Sequence, residues 1–421
     1  MYILLLIAMI LAFSESRLYL AKRNYIFLIH LLLFSTINLF IKIESREEQK
    51  INFQPVIMKL ILFIVKINKS IIELQMVTAT EEINYIGFNQ DQSCFVCGTN
   101  YGFKVYNTYP FQETCVRDLG GGLGIVEMLF RTNLLAIVGG GTTPKYPPNK
   151  LVLWDDYQSK SVGELTFKCD IKAVKLRKSK LLVVLDNKIY LYELHDLKLV
   201  DITETCYNPF GLCSFSMDGE ILCCPDKEVG YVKVSDYTKK VTKSKKAHSS
   251  SVRALEISDT GSYFATASEK GTIIRVFKTD TLMLVQEFRR GTEYHRILSI
   301  AFNNEDKWIA CVSNSGTIHI FNLVEPPKKE LRESQKKTQD TKSMNSKSKF
   351  SFFKDLIPFL NSEWSYDKFR LQDKNAKLAF GMEPNQLIAI TYEGNYYLAN
   401  FQSKTEGGQF IQEKKCFLDN P

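Results

Sequence analysis

The sequence predicts an all-β fold, a seven-bladed β-propeller, on three observations. From residue 83 onward, apolar and polar residues alternate with period two in short runs separated by turn residues. These runs recur as similar groups spaced about 40–45 residues apart, a period typical of propeller blades. Each group has a sheet face it cannot cover alone, and radial stacking buries that face while shortening exposed edges. A β-sandwich is the structural alternative, but seven similar units are more strands than one sandwich needs.

The units follow in order. "INYIGFN", "SCFVCGT" and "GFKVYN" form the first; "GIVEMLF", "LLAIVGG", "KLVLWDD" and "VGELTF" the second; "IKAVKLR", "KLLVVLD", "KIYLYEL" and "LKLVDIT" the third. "GLCSFS", "EILCCPD" and "YVKVSDY" form the fourth, which ends in the basic run Lys239 to Lys246. "SVRALEIS", "YFATASE", "TIIRVFKT" and "LMLVQEFRR" form the fifth. "ILSIAFN", "WIACVSN" and "TIHIFNL" open the sixth, and "KLAFGME", "LIAITYE" and "NYYLANF" make the seventh. The ring is expected to close with a strand from near the start of this region completing the last blade.

The sixth unit is interrupted, and its fourth strand, "WSYDKF", is expected to begin at Trp364. The intervening insertion, 324–363, has two parts. Residues 328–349 carry eight Lys or Arg against three acids and little to bury, a composition that does not fold by itself. In "FSFFKDLIPFL" (350–360), Phe353, Leu356, Ile357 and Leu360 fall at helical spacing, and Pro358 limits the helix to a turn or two. So short a helix needs a surface to cover its apolar face. One candidate is the propeller. The other is a bilayer interface, with Phe350, Phe352, Phe353, Leu356, Ile357, Phe359 and Leu360 inserted and the lysines upstream drawn to anionic lipid.

Residues 1–75 differ in kind. "MYILLLIAMILAF" and "YIFLIHLLLFSTINLFIKI" resemble a signal peptide followed by a membrane span, but the first lacks a basic start and polar residues break the second. The expectation is that this hydrophobic extension lies outside the working protein and that 76–421 is the propeller; a membrane anchor and a processed peptide are the alternatives.

The chain has 421 residues, 24% charged and 45% hydrophobic, with a net charge of +8. That balance suits a globular protein and permits anionic partners without choosing among them. Ten cysteines include no paired CxxC motifs, so no metal site is expected; Cys94 with Cys97, and Cys223 with Cys224, read as buried free thiols in a reducing compartment. "LGGGLG" and "VGGGTTPK" lack the spacing and setting of a phosphate loop, and Asp155, Asp156 and His195 form no nucleophile motif. No enzyme activity and no cofactor are expected.

The segment "EFRRGTEYH" (287–295) sets Arg289 beside Arg290 in an extended stretch. Successive strand side chains leave opposite faces, so the two guanidinium groups serve two anions better than one. An arginine fork matches phosphate oxygens, hydroxyls add donors that turn to fit, and a protonated histidine donates from either nitrogen.

The tetrad Phe288, Arg289, Arg290 and Gly291, with "VGGGTTPKYPPNKLVLWDD", "ETCYNPFGLC", "ATASEKGTIIRVFKT", "SNSGTIHIF" and "GMEPNQLIAITYEGNYY" around it, resembles the PROPPIN proteins, also called the WIPI family. The resemblance runs from about residue 82 to about residue 415 and is greatest to the animal branch that works with an autophagy lipid-transfer protein. It implies a WD40-like propeller that binds phosphatidylinositol 3-phosphate and phosphatidylinositol 3,5-bisphosphate at two rim pockets and acts in autophagy. Carried over, the first pocket takes His248, Ser250, Thr266, Ser268, Thr272, Arg275 and Arg289. The second takes Arg290, Thr292, His295, Ser313, Ser315, Thr317 and His319. It further implies a monomer, cytoplasmic and peripherally attached to preautophagosomal, endosomal or vacuolar membranes. Two alternatives remain at this stage. Arg275 in "TIIRVF" could be spent on a salt bridge with Glu269 or Glu287, and the whole chain could be a WD-repeat protein scaffold without lipid binding. Nucleic acid is disfavoured, because the basic residues gather at the insertion and pocket rim instead of along an open stripe with stacking aromatics.

Overall fold

In the computed structural model, seven blades of four antiparallel strands repeat along the chain from Ile83 to Cys416. The structure describes residues 81–324, 362–383, 385–401 and 411–418. The N-terminal extension and residues 325–361, with the short helix expected at 350–360, lie outside them. Among the described residues all regular structure is strand, and no helix is long and apolar enough to cross a membrane.

Blades 1 to 7 begin with the inner strands Ile83–Phe88, Leu123–Met128, Ala173–Leu176, Ser214–Phe215, Val252–Ile257, Ile297–Phe302 and Ala376–Phe380. The second strand of each blade is buried almost throughout, as in Cys94–Thr99 and Trp308–Ser313, because it packs on neighbouring blades through both faces. Outer strands such as Gln112–Asp118 and Val241–Lys246 are largely exposed and polar. For that reason alternation fails to announce them. The sequence reading missed the outer strands of blades 1 and 7, and the expected basic run at Lys239 to Lys246 contains the outer strand of blade 4.

Cys94 and Cys97 are both buried free thiols, and they enter different apolar clusters. Three residues apart on a strand, they leave opposite faces and cannot share an ion.

Closure differs from expectation. Blade 7 completes itself, with Asn395–Asn400 pairing the outer strand Ile411–Cys416, while Ile83–Phe88 is the inner strand of blade 1. Side chains make the join instead of a shared strand. Ile86, Phe95 and Tyr106 of blade 1 pack with Ile388, Tyr396 and Leu398 of blade 7 and with Phe417. Tyr396 donates to Thr108 O at 2.8 Å, and the Phe380 N–H donates to Gln92 Oε1 at 2.8 Å. The turn holding Gln92 also carries Gln90, which donates to Met128 O and Leu176 O and so ties blade 1 to blades 2 and 3.

The insertion's return also differs. Trp364 was expected to open the fourth strand of blade 6. Instead, Glu363–Trp364 pairs in parallel with the end of Leu284–Arg289, as a fifth strand on blade 5, and only Asp367–Arg370 completes blade 6. The chain therefore crosses from one blade to the next directly over the twin arginines.

Candidate functional site

Blade 5 presents its two faces to different neighbours. Ile274, Val276 and Phe288 join the apolar cluster shared with blade 6, while Phe264 and Phe277 join the cluster shared with blade 4. Phe288 is fully buried, its ring stacked on Phe321 of blade 6 with centroids 4.8 Å apart. Alternation then sends Arg289 toward blade 4 and Arg290 toward blade 6. The strand ends at Arg289, but the ladder continues one bond further, the Arg290 N–H donating to Thr272 O at 2.9 Å. Both arginines are almost fully buried, at 5% and 6% exposure, so each guanidinium must be satisfied in place.

Arg289 Nε donates to Ser362 Oγ at 2.9 Å, a partner supplied by the returning insertion. On the same face of the sheet, register sets Thr266 opposite Arg275 and Arg275 opposite Glu287. Arg275 bonds Glu287 Oε2 at 2.8 Å and Ala247 O at 2.7 Å, and lies 3.4 Å from His248 Nδ1. His248 Nε2 is 2.9 Å from Thr266 Oγ1. His248, Thr266, Arg275 and Arg289 thus come together. The salt-bridge alternative for Arg275 is realised with Glu287, whereas Glu269 faces Arg253 at 3.4 Å. Thr272 contributes its carbonyl, and Ser250 and Ser268 make no side-chain hydrogen bond among the described residues.

The other face carries an open cavity of about 710 Å³. Arg290, Thr292, His295, Ser315, Thr317 and His319 line it, as the sequence reading expected. Ser313 stands behind, fully buried, with Ser315 Oγ 2.8 Å away and Thr317 next in the hydroxyl chain at 3.2 Å. Arg290 Nε donates to Gly271 O at 2.8 Å and Nη2 to Glu293 O. His295 lies on the exposed side, 3.2 Å from Glu293 Oε2. Trp364, Lys368 and Arg370 also line the cavity and were not foreseen, because they follow the insertion.

Two glycines act differently. Gly271 has φ of 61°, and a Cβ there would sit 1.9 Å from His295 O, so backbone geometry demands it. Gly291 has no atom within 4 Å of a Cβ position and no positive φ; its missing side chain leaves the cavity mouth open.

Burial holds the proton affinity of His248 down, with Arg275 adding to it, to a pKa of about 4. Burial does the same for His319, helped by Arg290 and Lys368, again to about 4. Both rings are neutral near pH 7. Unfolding restores the ordinary value of 6.5, so the unfolded chain binds these protons more tightly and stability falls as pH drops from 6.5 toward 4.

A second cavity, of about 330 Å³, follows the propeller axis and is far from the arginines. In it Lys175 lies 3.8 Å from Glu127, Ser214 donates to Glu256 at 2.8 Å, and Arg177 donates to blade 3 and 4 carbonyls.

The structure is a seven-bladed propeller in which Arg289 and Arg290 leave opposite faces of one blade, the second of them beside an open cavity. The model of the PROPPIN family matches residues 82–345, and the chain belongs to this family of autophagy-related, phosphoinositide-binding propellers. It is 36% identical over 342 residues to autophagy-related protein 18e of Arabidopsis thaliana, covering 79% of this chain and 87% of that protein. SVP1-like protein 2 of Pichia angusta is 32% identical, over 73% of this chain and 86% of the relative. Among solved structures, Kluyveromyces lactis Hsv2 superposes with a TM-score of 0.64 at 22% identity, covering 81% of this chain and all of that one. KlAtg21, solved in complex with the coiled-coil of AgAtg16, matches with a TM-score of 0.59 at 27% identity over 80% of this chain and 99% of its own.

Proposed function

We propose that this chain is a non-enzymatic peripheral membrane effector. It binds phosphatidylinositol 3-phosphate and phosphatidylinositol 3,5-bisphosphate through the two rim recesses and recruits autophagy machinery to membranes. One observation carries the reading: Arg289 and Arg290 are buried back to back, each with hydroxyl and imidazole groups from the sequence-predicted set on its side of the blade. Buried guanidinium groups beside neutral histidines form sites whose charge a phosphate would complete. Two weak grips on one membrane act together, since the second binding event is effectively intramolecular once the first has formed. Sedimentation with phosphatidylcholine vesicles, with and without 3-phosphorylated phosphoinositide, tests this. A protein scaffold without lipid binding stays in the supernatant in both.

The Atg21–Atg16 complex supports a coiled-coil protein as the recruited partner, and an autophagy lipid-transfer protein remains the partner proposed from the sequence. Cytoplasmic residence with reversible attachment to preautophagosomal, endosomal or vacuolar membranes follows from this reading.

A bound phosphate favours the imidazolium, so headgroup binding takes up protons at His248 and His319. Affinity is therefore expected to rise as pH falls from 8 to 5.5, by up to about tenfold per pH unit for each histidine that titrates. A flat profile in vesicle titrations would remove both histidines from the contact.

For the insertion, replacing Phe352, Phe353 and Ile357 with serine is expected to weaken vesicle binding and spare capture of a soluble inositol phosphate. Each large apolar side chain inserted contributes about 1.5–3 kcal/mol to bilayer binding alone. Loss of both activities would show that the segment packs on the propeller instead.

A further inference from the structure

The strand that resumes after the insertion brings two cations to the Arg290 recess. Along Asp367–Arg370, Phe369 is buried while Lys368 and Arg370 leave the opposite face and are exposed. Register sets Lys368 opposite His319 and Arg370 opposite Thr317. Directly opposed residues share a face with Cβ atoms about 4.5–5.5 Å apart, and all four line the cavity. Lys368 also adds to the depression of the His319 proton affinity, a second sign of its charge near that ring.

The two recesses are therefore unequal. Arg290, Lys368 and Arg370 face one acid, Glu293, whose carboxylate is turned to His295. Among the described residues neither Lys368 nor Arg370 is in an ion pair. On the other face, Arg275 is already engaged by Glu287 at 2.8 Å. Each phosphomonoester carries about −1.5 to −2 at pH 7. A 3-phosphorylated headgroup has one such group, and a 3,5-bisphosphorylated headgroup has two.

We infer that Lys368 and Arg370 contact ligand and set specificity, making the Arg290 recess the site selective for two phosphomonoesters while the Arg289 recess takes one. This rests on the reading of the recesses as phosphoinositide sites. The side chains are solvent-exposed on a short outer strand, so their removal leaves the apolar seams intact.

The test is isothermal titration of the full chain and of Lys368→Ala/Arg370→Ala with the soluble deacylated lipids glycerophosphoinositol 3-phosphate and glycerophosphoinositol 3,5-bisphosphate, whose 1-phosphate stays a diester. Sedimentation with phosphatidylcholine vesicles bearing each parent lipid runs beside it. Expected is a loss of about tenfold or more for the 3,5-bisphosphate at one of two sites, as for removal of charged hydrogen bonds, with the 3-phosphate nearly unchanged. Equal loss for both headgroups, or none for either, overturns the assignment. So does weaker vesicle binding with unchanged soluble binding, which would give the cations to the bilayer surface. Wild-type protein that binds neither headgroup overturns the rim-site reading itself. Thermal melting checks the fold, and Lys368→Gln/Arg370→Gln repeats the titration should the alanine variant melt early.

Discussion

Changing Arg289 and Arg290 together to threonine is expected to abolish recruitment to vesicles containing 3-phosphorylated phosphoinositide while a folded propeller persists. Charged hydrogen bonds contribute about 1.5–3 kcal/mol each, so loss of one guanidinium weakens its site by tenfold or more. Losing the second grip also removes avidity worth about 10²–10⁴. Each single variant is expected to bind soluble headgroup with a stoichiometry of one in place of two, and to hold vesicles weakly. The double variant also leaves Gly271 O, Glu293 O and Ser362 Oγ without their present donors, at a cost of about 1–3 kcal/mol each where no water replaces them. Circular dichroism and thermal melting must therefore accompany the binding data. Lipid-dependent sedimentation of a folded double variant would count against the two-site model.

Phe288→Ala is expected to have the largest effect on stability, about 3–5 kcal/mol, read as a lower denaturant midpoint at unchanged slope. The ring is fully buried between blades 5 and 6, stacked on Phe321, with Ile274 and Ile309 in the same cluster. Its removal opens a cavity beside the residues that aim both arginines. Headgroup affinity at the Arg290 recess is expected to fall with it, because Gly271 O, Glu293 O and the blade 6 hydroxyls no longer keep their spacing. Phe288→Leu retains most of the volume and should cost much less. An alanine variant with an unchanged midpoint would mean that the seam is not what positions the arginines.

Much of this was legible in the sequence. The inner strands declared themselves because each is buried on a packed face, so apolar alternation in "INYIGFN", "SVRALEIS" and "ILSIAFN" reports burial directly. The placement of Arg289 and Arg290 on opposite faces required only their adjacency in a strand. The outer strands were harder to read, since Gln112–Asp118 and Val241–Lys246 bury little and carry no apolar rhythm. Lys368 and Arg370 were invisible for a different reason: they lie 49 and 53 residues along the chain from their strand partners His319 and Thr317, too far for local patterning to register.

By itself the sequence determined the period of the blades, the parity of the twin arginines and the donor types around them, because side-chain alternation and local burial are properties of neighbouring residues. Only the tertiary structure decided that blade 7 closes with its own strand, that Trp364 crosses to blade 5, that Glu287 takes Arg275 and that two late cations enter the Arg290 recess. Those outcomes depend on which strand edges meet and in what register, and that is settled by packing between segments far apart in the chain.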